Sequence, residues 1–304
     1  MSITRRTILG SGAAVTLAGL LPVSAWSASS LKLGEINIDV VSDGHLVLPG
    51  SFLFQDMPED ELAAILDKHG VAKEQVKPDC NLTLVRDGDR TIIFDVGSGP
   101  NFMPSAGKLS EALATLNVDP TDVTHVVFTH AHPDHLWGLL DEFDEPLFSK
   151  AEYLINAVEW DYWLDPGTVD NIGSARQAFA AGAMRNLKSI ESKITRFNSG
   201  SEILPGILAR GSEGHTPGHT SFEIRAGSES VMVIGDAIGN HHVAFERPNW
   251  EANSDQDRER GAKTRSLLID ELATEKMKMI GFHLPYPGIG FVEKDGSAYR
   301  FVPA

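Results

Sequence analysis

The segment Phe128-Thr129-His130-Ala131-His132-Pro133-Asp134-His135 constrains this chain more than any other. Three imidazoles and one carboxylate crowd into it, directly after the apolar run Val126-Val127-Phe128. Such a run reads as a buried strand, and the residues after it as a loop leading into a helix. A strand-to-helix loop can aim several side chains at one point without distorting a regular element. Imidazole nitrogen and carboxylate oxygen are the ligands that suit zinc and its first-row neighbours, so the pattern points to a metal site. A single histidine carries no such implication. His45, His69 and His125 lack a motif and are read as surface or hydrogen-bonded residues.

Three further candidates follow apolar segments in the second half: His215 and His219 in Gly214-His215-Thr216-Pro217-Gly218-His219, Asp236 after Val231-Met232-Val233-Ile234, and His283 after Met279-Ile280-Gly281-Phe282. Ligands at the ends of successive strands converge on one rim of a layered α/β fold. Alternation predicts a strand over Glu35–Val41 closed by a turn at Ser42-Asp43-Gly44, and two strands, 81–86 and 91–95, paired across Asp87-Gly88. Further strands are expected over His125–Thr129 and, later, at 207–210, 221–225 and 230–234, with a hairpin at Asp295-Gly296. Helical spacing predicts helices at 58–69, with Gly70 as C-cap, then 108–116, a helix reaching Leu140, 157–164, 174–190 and 255–275. Strands in both halves with helices between them imply two packed sheets covered by helices. No Pro/Ser-rich linker divides 28–304, which is expected to form one domain.

Together these residues resemble the metallo-β-lactamase superfamily in its dinuclear hydrolase form, from Ser42-Asp43-Gly44 through Phe94-Asp95-Val96-Gly97 to the C-terminus. The end of the chain, His283-Leu284-Pro285-Tyr286-Pro287-Gly288-Ile289-Gly290 and Tyr299-Arg300-Phe301-Val302-Pro303, is similar to the branch containing methyl parathion hydrolase and N-acyl homoserine lactonases. The resemblance implies an α/β fold, an αββα four-layer sandwich of two mixed sheets flanked by helices. It implies that His130, His132 and His215 hold one metal, that Asp134, His135 and His283 hold a second, and that Asp236 bridges them. Asp95 would orient ligands from behind, and His219 would be a supporting or structural residue. His241 and His242 are read as surface or pocket wall. Phe102, Trp163 and Phe179 resemble the aromatic residues of that branch's leaving-group pocket.

Two divalent ions about 3.5–4 Å apart share a hydroxide at neutral pH, which makes hydrolysis of a lactone or related ester the expected reaction, with phosphotriesters as a side activity. Asp134 would accept or shuttle the proton. Zinc is the first choice of metal, but the same ligands accept manganese, cobalt or iron. The alternatives are a true metallo-β-lactamase, weakened by Asp134-His135, a diiron redox enzyme, whose motif has glutamate in place of His132, and a non-catalytic binding protein. Well-known acyl homoserine lactonases carry a tyrosine three residues after the bridging aspartate, where this chain has Gly239.

Charge and length add limits. The 304 residues carry 26 Lys plus Arg against 42 Asp plus Glu, a net −16 that becomes −18 without Arg5 and Arg6. Nucleic acids are bound by neutralising phosphates, so no nucleic-acid partner is expected. Small uncharged ester substrates suit the acidity better than anionic ones. Thr4-Arg5-Arg6-Thr7 followed by the apolar stretch 8–23 and small residues at Val23, Ala25 and Ser27 has the layout of a twin-arginine signal peptide over 1–27. The expectation is therefore recognition by the twin-arginine export machinery and a periplasmic or secreted protein, with no stable membrane anchor because the stretch is shorter than a bilayer span. Cys80, the single cysteine, has no disulfide partner within the chain and is read as a core residue. A homodimer is open to the chain, since Ser51-Phe52-Leu53-Phe54 would serve an interface or a pocket lip equally well.

Overall fold

Arg90-Thr91-Ile92-Ile93-Phe94 ends in consecutive large apolar side chains, so its strand must be covered on both faces. In the computed structural model, which describes residues 29–304, Ile92 and Phe94 face a second sheet and Ile93 faces helices. Glu229–Val233 divides the same way, with Val231 and Val233 inward and Met232 outward. The expected leader, 1–27, lies outside the described residues. Among the described residues, no helix is long and apolar enough to cross a membrane.

The first sheet runs, in spatial order, β1 (Ser29–Leu33), β2 (Ile36–His45), β3 (Asp79–Asp87), β4 (Arg90–Phe94), β5 (His125–Val127), β6 (Glu152–Asn156) and β7 (Ile194–Phe197). Its first four strands pair antiparallel and β4 to β7 pair parallel. The second sheet runs β8 (Glu202–Leu204), β9 (Ile207–Gly211), β10 (Thr220–Ala226), β11 (Glu229–Val233), β12 (Lys278–Ile280), β13 (Ile289–Asp295) and β14 (Ala298–Pro303). There β11 and β12 pair parallel and the other neighbours antiparallel. Helices α1 (Glu59–His69), α2 (Leu109–Thr115), α3 (Ala157–Leu164), α4 (Gln177–Ser189) and α5 (Arg258–Glu275) are the principal ones. Residues of α2, α3 and α4 pack on the outer face of the first sheet, and Leu268, Ile269 and Leu272 of α5 on that of the second. This is the αββα sandwich of two mixed sheets that the resemblance implied.

Between the sheets, Phe94 and Phe222 meet with ring centroids 5.2 Å apart, surrounded by Ile38, Val40, Val127 and Ile280. Each such side chain contributes about 1.5–3 kcal/mol by leaving water, so this layer fixes the sheets against each other. Both sheets then deliver their strand ends to the same rim.

Several local expectations need correction. Ser42-Asp43-Gly44 does not close a turn: β2 runs on to His45, with its register against β3 shifted between Ser42 and His45. The buried Asp43 explains the change. Its carboxylate accepts from Ser98 N at 2.9 Å, Ser98 Oγ at 2.7 Å, Gly107 N at 3.1 Å and Leu109 N at 2.8 Å, tying the strand to the loop before α2. Gly97 closes over it, because a Cβ there would come within 2.7 Å of Asp43 Cγ. The strand expected to reach Thr129 ends at Val127, because Asp95 Oδ1 takes the Thr129 N–H. The helix expected to reach Leu140 is a single turn, Pro133–Leu136, continued by a tighter turn over Trp137–Leu139. The last long helix begins at Arg258 under an Asp257 cap rather than at Asp255.

Asp43→Ala would leave three backbone N–H groups without their acceptor and should destabilise the protein by about 2–4 kcal/mol. A fall in the urea midpoint with an unchanged slope would show it, and a midpoint within error of the parent would refute it.

Candidate metal centre

The parallel strands β4 and β5 end side by side, and the chain leaves each toward the rim. After β5, the 128–135 loop turns His130 and His132 inward. The turn between β9 and β10 brings His215 to meet them. His130 Nε2 lies 3.0 Å from His132 Nδ1, which lies 2.9 Å from His215 Nε2. All three residues are buried.

A second group adjoins the first. His135 and Asp134 come from the turn after the loop, Asp236 follows β11 and His283 follows β12, so both sheets contribute. His135 Nε2 stands 3.2 Å from Asp236 Oδ1 and 3.5 Å from Asp134 Oδ2. His283 Nε2 stands 3.2 Å from both Asp134 Oδ2 and Asp236 Oδ2. Asp236 Oδ2 is also 3.3 Å from His215 Nε2. Asp236 therefore touches both groups, as a bridging carboxylate must.

These residues fit metal ions. His130, His132 and His215 converge as one donor group, and Asp134, His135, Asp236 and His283 as another. Donor separations of 2.9–3.5 Å bracket the edge of a tetrahedron whose centre is about 2.0–2.1 Å from each nitrogen. Asp134 Oδ2, His135 Nε2 and Asp236 Oδ1 are buried without a hydrogen-bond partner, a cost that a cation would remove.

The outer nitrogens are committed elsewhere, which leaves lone pairs facing inward. His135 Nδ1 meets Asp95 Oδ2 at 2.8 Å, His283 Nδ1 meets the Asp79 carbonyl at 2.8 Å, and His215 Nδ1 meets Asp255 Oδ1 at 3.0 Å. Thr129 Oγ1 donates to Asp95 Oδ2 at 2.7 Å and so accepts from His130 Nδ1 at 3.0 Å. Asp95 thus orients two histidines, one of them through Thr129. His219 falls in neither donor group. Its Nε2 accepts from Asp236 N at 2.9 Å and its Nδ1 pairs with Ser212 Oγ at 2.8 Å, so it holds the Asp236 backbone in place.

Electrostatics separate the two groups. Burial first, then neighbouring imidazoles, hold His130 and His132 well below the usual histidine range, so both are neutral. Burial opposes protonation of His135, but Asp236, Asp134 and Asp95 outweigh it and raise its pKa to about 10. His283 is raised by Asp236 and Asp134 against the same opposition. Burial would push Asp236 up, yet His283 and His135 hold it well below the carboxylate range. The carboxylates around His135 and His283 thus favour positive charge in the second group, which a divalent cation supplies when it binds there.

Above the groups lies a cavity of about 520 Å³ reached by His132, Asp134, His215, Asp236 and His283. Phe102 and Phe179 line it, with ring centroids 6.4 Å apart. Trp163 does not, contrary to expectation: it is fully buried behind His132, and its Nε1 donates to Glu159 Oε1 at 2.6 Å. His241 and His242 both reach the cavity, as do Phe52 and Leu53 of the 51–54 segment. Arg176 stands on the wall with Nη2 donating to the carbonyls of Asn253 at 2.7 Å and Ser254 at 3.0 Å.

Sequence reasoning passed over Asp255, Arg265 and Glu159. Asp255 lies in the polar run Asn253-Ser254-Asp255-Gln256-Asp257, where nothing distinguishes a helix cap from a histidine partner. It is buried and held by Arg265 Nη1 at 3.1 Å. Glu159 did leave a signal: it shares a helix face with Trp163, four residues on, where an apolar residue belongs.

A family model of the metallo-β-lactamase superfamily matches residues 77–289. The chain is 30% identical over 206 residues to metallo-beta-lactamase domain-containing protein 1 of Xenopus laevis, covering 66% of this chain and 70% of that one. Among solved structures it is similar to AidC, a dizinc quorum-quenching lactonase captured with a product, at a TM-score of 0.85 and 26% identity over 91% of this chain and 97% of that one. It is equally similar to AbOPH, a hydrolase in the beta lactamase superfamily, at a TM-score of 0.84, 26% identity and the same coverage. The chain belongs to the metallo-β-lactamase superfamily, and its fold and donor set make it a metal-dependent hydrolase.

Elemental analysis of the purified protein should find two ions per chain. His132→Ala and His283→Ala should each lower the count toward one, whereas His219→Ala should retain both ions bound more weakly. A full set of tightly held ions in either ligand variant would remove that residue from the donor set.

Proposed function

We propose that the protein hydrolyses small uncharged lactones or related esters with an apolar tail, after twin-arginine export to the periplasm. The carrying observation is a mainly apolar cavity that has both donor groups on one side. AidC, a lactonase, and AbOPH, a hydrolase, support the reading by likeness over nearly their whole length. Two divalent ions, zinc by preference, supply when bound a hydroxide at neutral pH and polarise an ester carbonyl.

The chain supplies the rest. Phe102, Phe179, Leu46, Leu48, Phe52 and Leu53 hold the tail and exclude water. Asp134, on the cavity and beside His283, takes the proton released on attack and returns it to the leaving oxygen. Arg176 offers its remaining N–H donors to a substrate oxygen distant from the scissile bond. A phosphotriester is also uncharged and also loses an oxygen leaving group, so the same arrangement supports that side activity.

Gly239 lies on the cavity, and a Cβ built there meets nothing within 4 Å. Gly239→Tyr is thus expected to fold like the parent and to change kcat/KM for an acyl lactone more than for an aryl ester. Equal changes for both would separate this position from lactone recognition.

The deciding experiment is a panel of acyl lactones, aryl esters, phosphotriesters and the β-lactam nitrocefin, run with zinc- and manganese-loaded protein. Lactone or ester turnover that falls about 100-fold or more in kcat for Asp134→Ala supports the reading, the scale expected for a general acid–base group. Turnover of nitrocefin alone replaces it with β-lactam hydrolysis, and no turnover of any substrate refutes it.

A further inference from the structure

Glu159, on the first turn of α3, is fully buried and lies outside both donor groups. Its Oε1 accepts from Ala131 N at 2.9 Å and Trp163 Nε1 at 2.6 Å. Its Oε2 accepts from Thr216 Oγ1 at 2.7 Å and Gly218 N at 2.9 Å. Ala131 stands between His130 and His132, and Thr216 follows His215. One carboxylate therefore ties together the two loops that supply the first donor group. The approach is close: a Cβ on Gly218 would come within 2.2 Å of Glu159 N.

A buried anion normally has a cation beside it, yet among the described residues no Lys, Arg or His forms an ion pair with Glu159. Burial raises its pKa overall, against the pull of all four donors. Imidazoles bind a metal as neutral ligands, so a divalent ion among these three would touch only one carboxylate, Asp236; Asp255, behind His215, is already paired with Arg265. Glu159, on α3, adds a second carboxylate bonded to both loops.

We propose that Glu159 is the positioning residue of the first metal site. It fixes the spacing of the two histidine loops and adds the negative charge that three imidazoles lack. Glutamine cannot replace it. Each oxygen accepts a backbone N–H, so either placement of the amide would set its NH2 against a donor that cannot turn away.

The proposal rests on reading the two groups as metal ligands and not on the substrate, so a failed substrate panel would leave it standing. Its test titrates zinc into metal-stripped full-length protein against a chromophoric chelator. In a His283→Ala background, which keeps the first group intact, Glu159→Gln should weaken zinc binding about 10–100-fold. In a His132→Ala background, which keeps the second group intact, the same change should shift binding by no more than about twofold, as for uncoupled sites. Equal weakening in both backgrounds marks a general scaffold residue and overturns the proposal, as does no weakening in either. If circular dichroism shows that Glu159→Gln does not fold, Thr216→Val removes one donor instead. Weakening confined to the first group then supports the proposal, and unchanged binding overturns it.

Discussion

Asp236 is the point on which the arrangement depends. One oxygen meets His135 and the other meets both His215 and His283, so a single side chain fixes the separation of the two donor groups. That placement needs both sheets in register. Asp236 and His283 follow the one parallel strand pair of the second sheet, β11 and β12, while His130, His132, Asp134 and His135 follow a parallel strand of the first. The apolar layer around Phe94 and Phe222 sets the distance between those strand ends. Gly235 permits the last step, since its φ of +53° turns the chain and a Cβ there would lie 2.7 Å from His219 Nε2.

Much of this was legible in the order of residues, for a physical reason. Ligands in a strand-end loop must be close in sequence, so His130, His132, Asp134 and His135 announce themselves by spacing, and the apolar runs before Asp236 and His283 place them on the same rim. The unbroken apolar run Ile92-Ile93-Phe94 implies a strand buried on both faces, hence helices outside and a sheet inside. What spacing cannot show is which polar group waits behind a ligand. Asp255 and Glu159 reach their partners across 40 and 28 residues of chain, through folding alone. Trp163 was misplaced because an aromatic residue on an amphipathic helix can face a cavity or the core, and the indole N–H went to a buried acceptor. The Ser42-Asp43-Gly44 turn failed similarly: a turn-forming triplet was recruited to hold a distant loop.

The electrostatic character of the site runs against that of the chain as a whole. A strongly acidic protein places three imidazoles together and concentrates carboxylates on the other side of Asp236, so the two ion positions differ in the donors they offer before any ion arrives. With Glu159 included, the contrast narrows.

The segment from Leu46 to Pro78 gives the cavity Leu46, Leu48, Phe52, Leu53, Val71 and Val76 and gives the donor groups nothing. Much of the wall is thus encoded in a stretch of the chain separate from the floor. Substitutions, insertions or exchanges within the wall can redraw which molecules are admitted while the reactive floor stays as it is. A lineage built this way can change its diet by mutation without first rebuilding its chemistry.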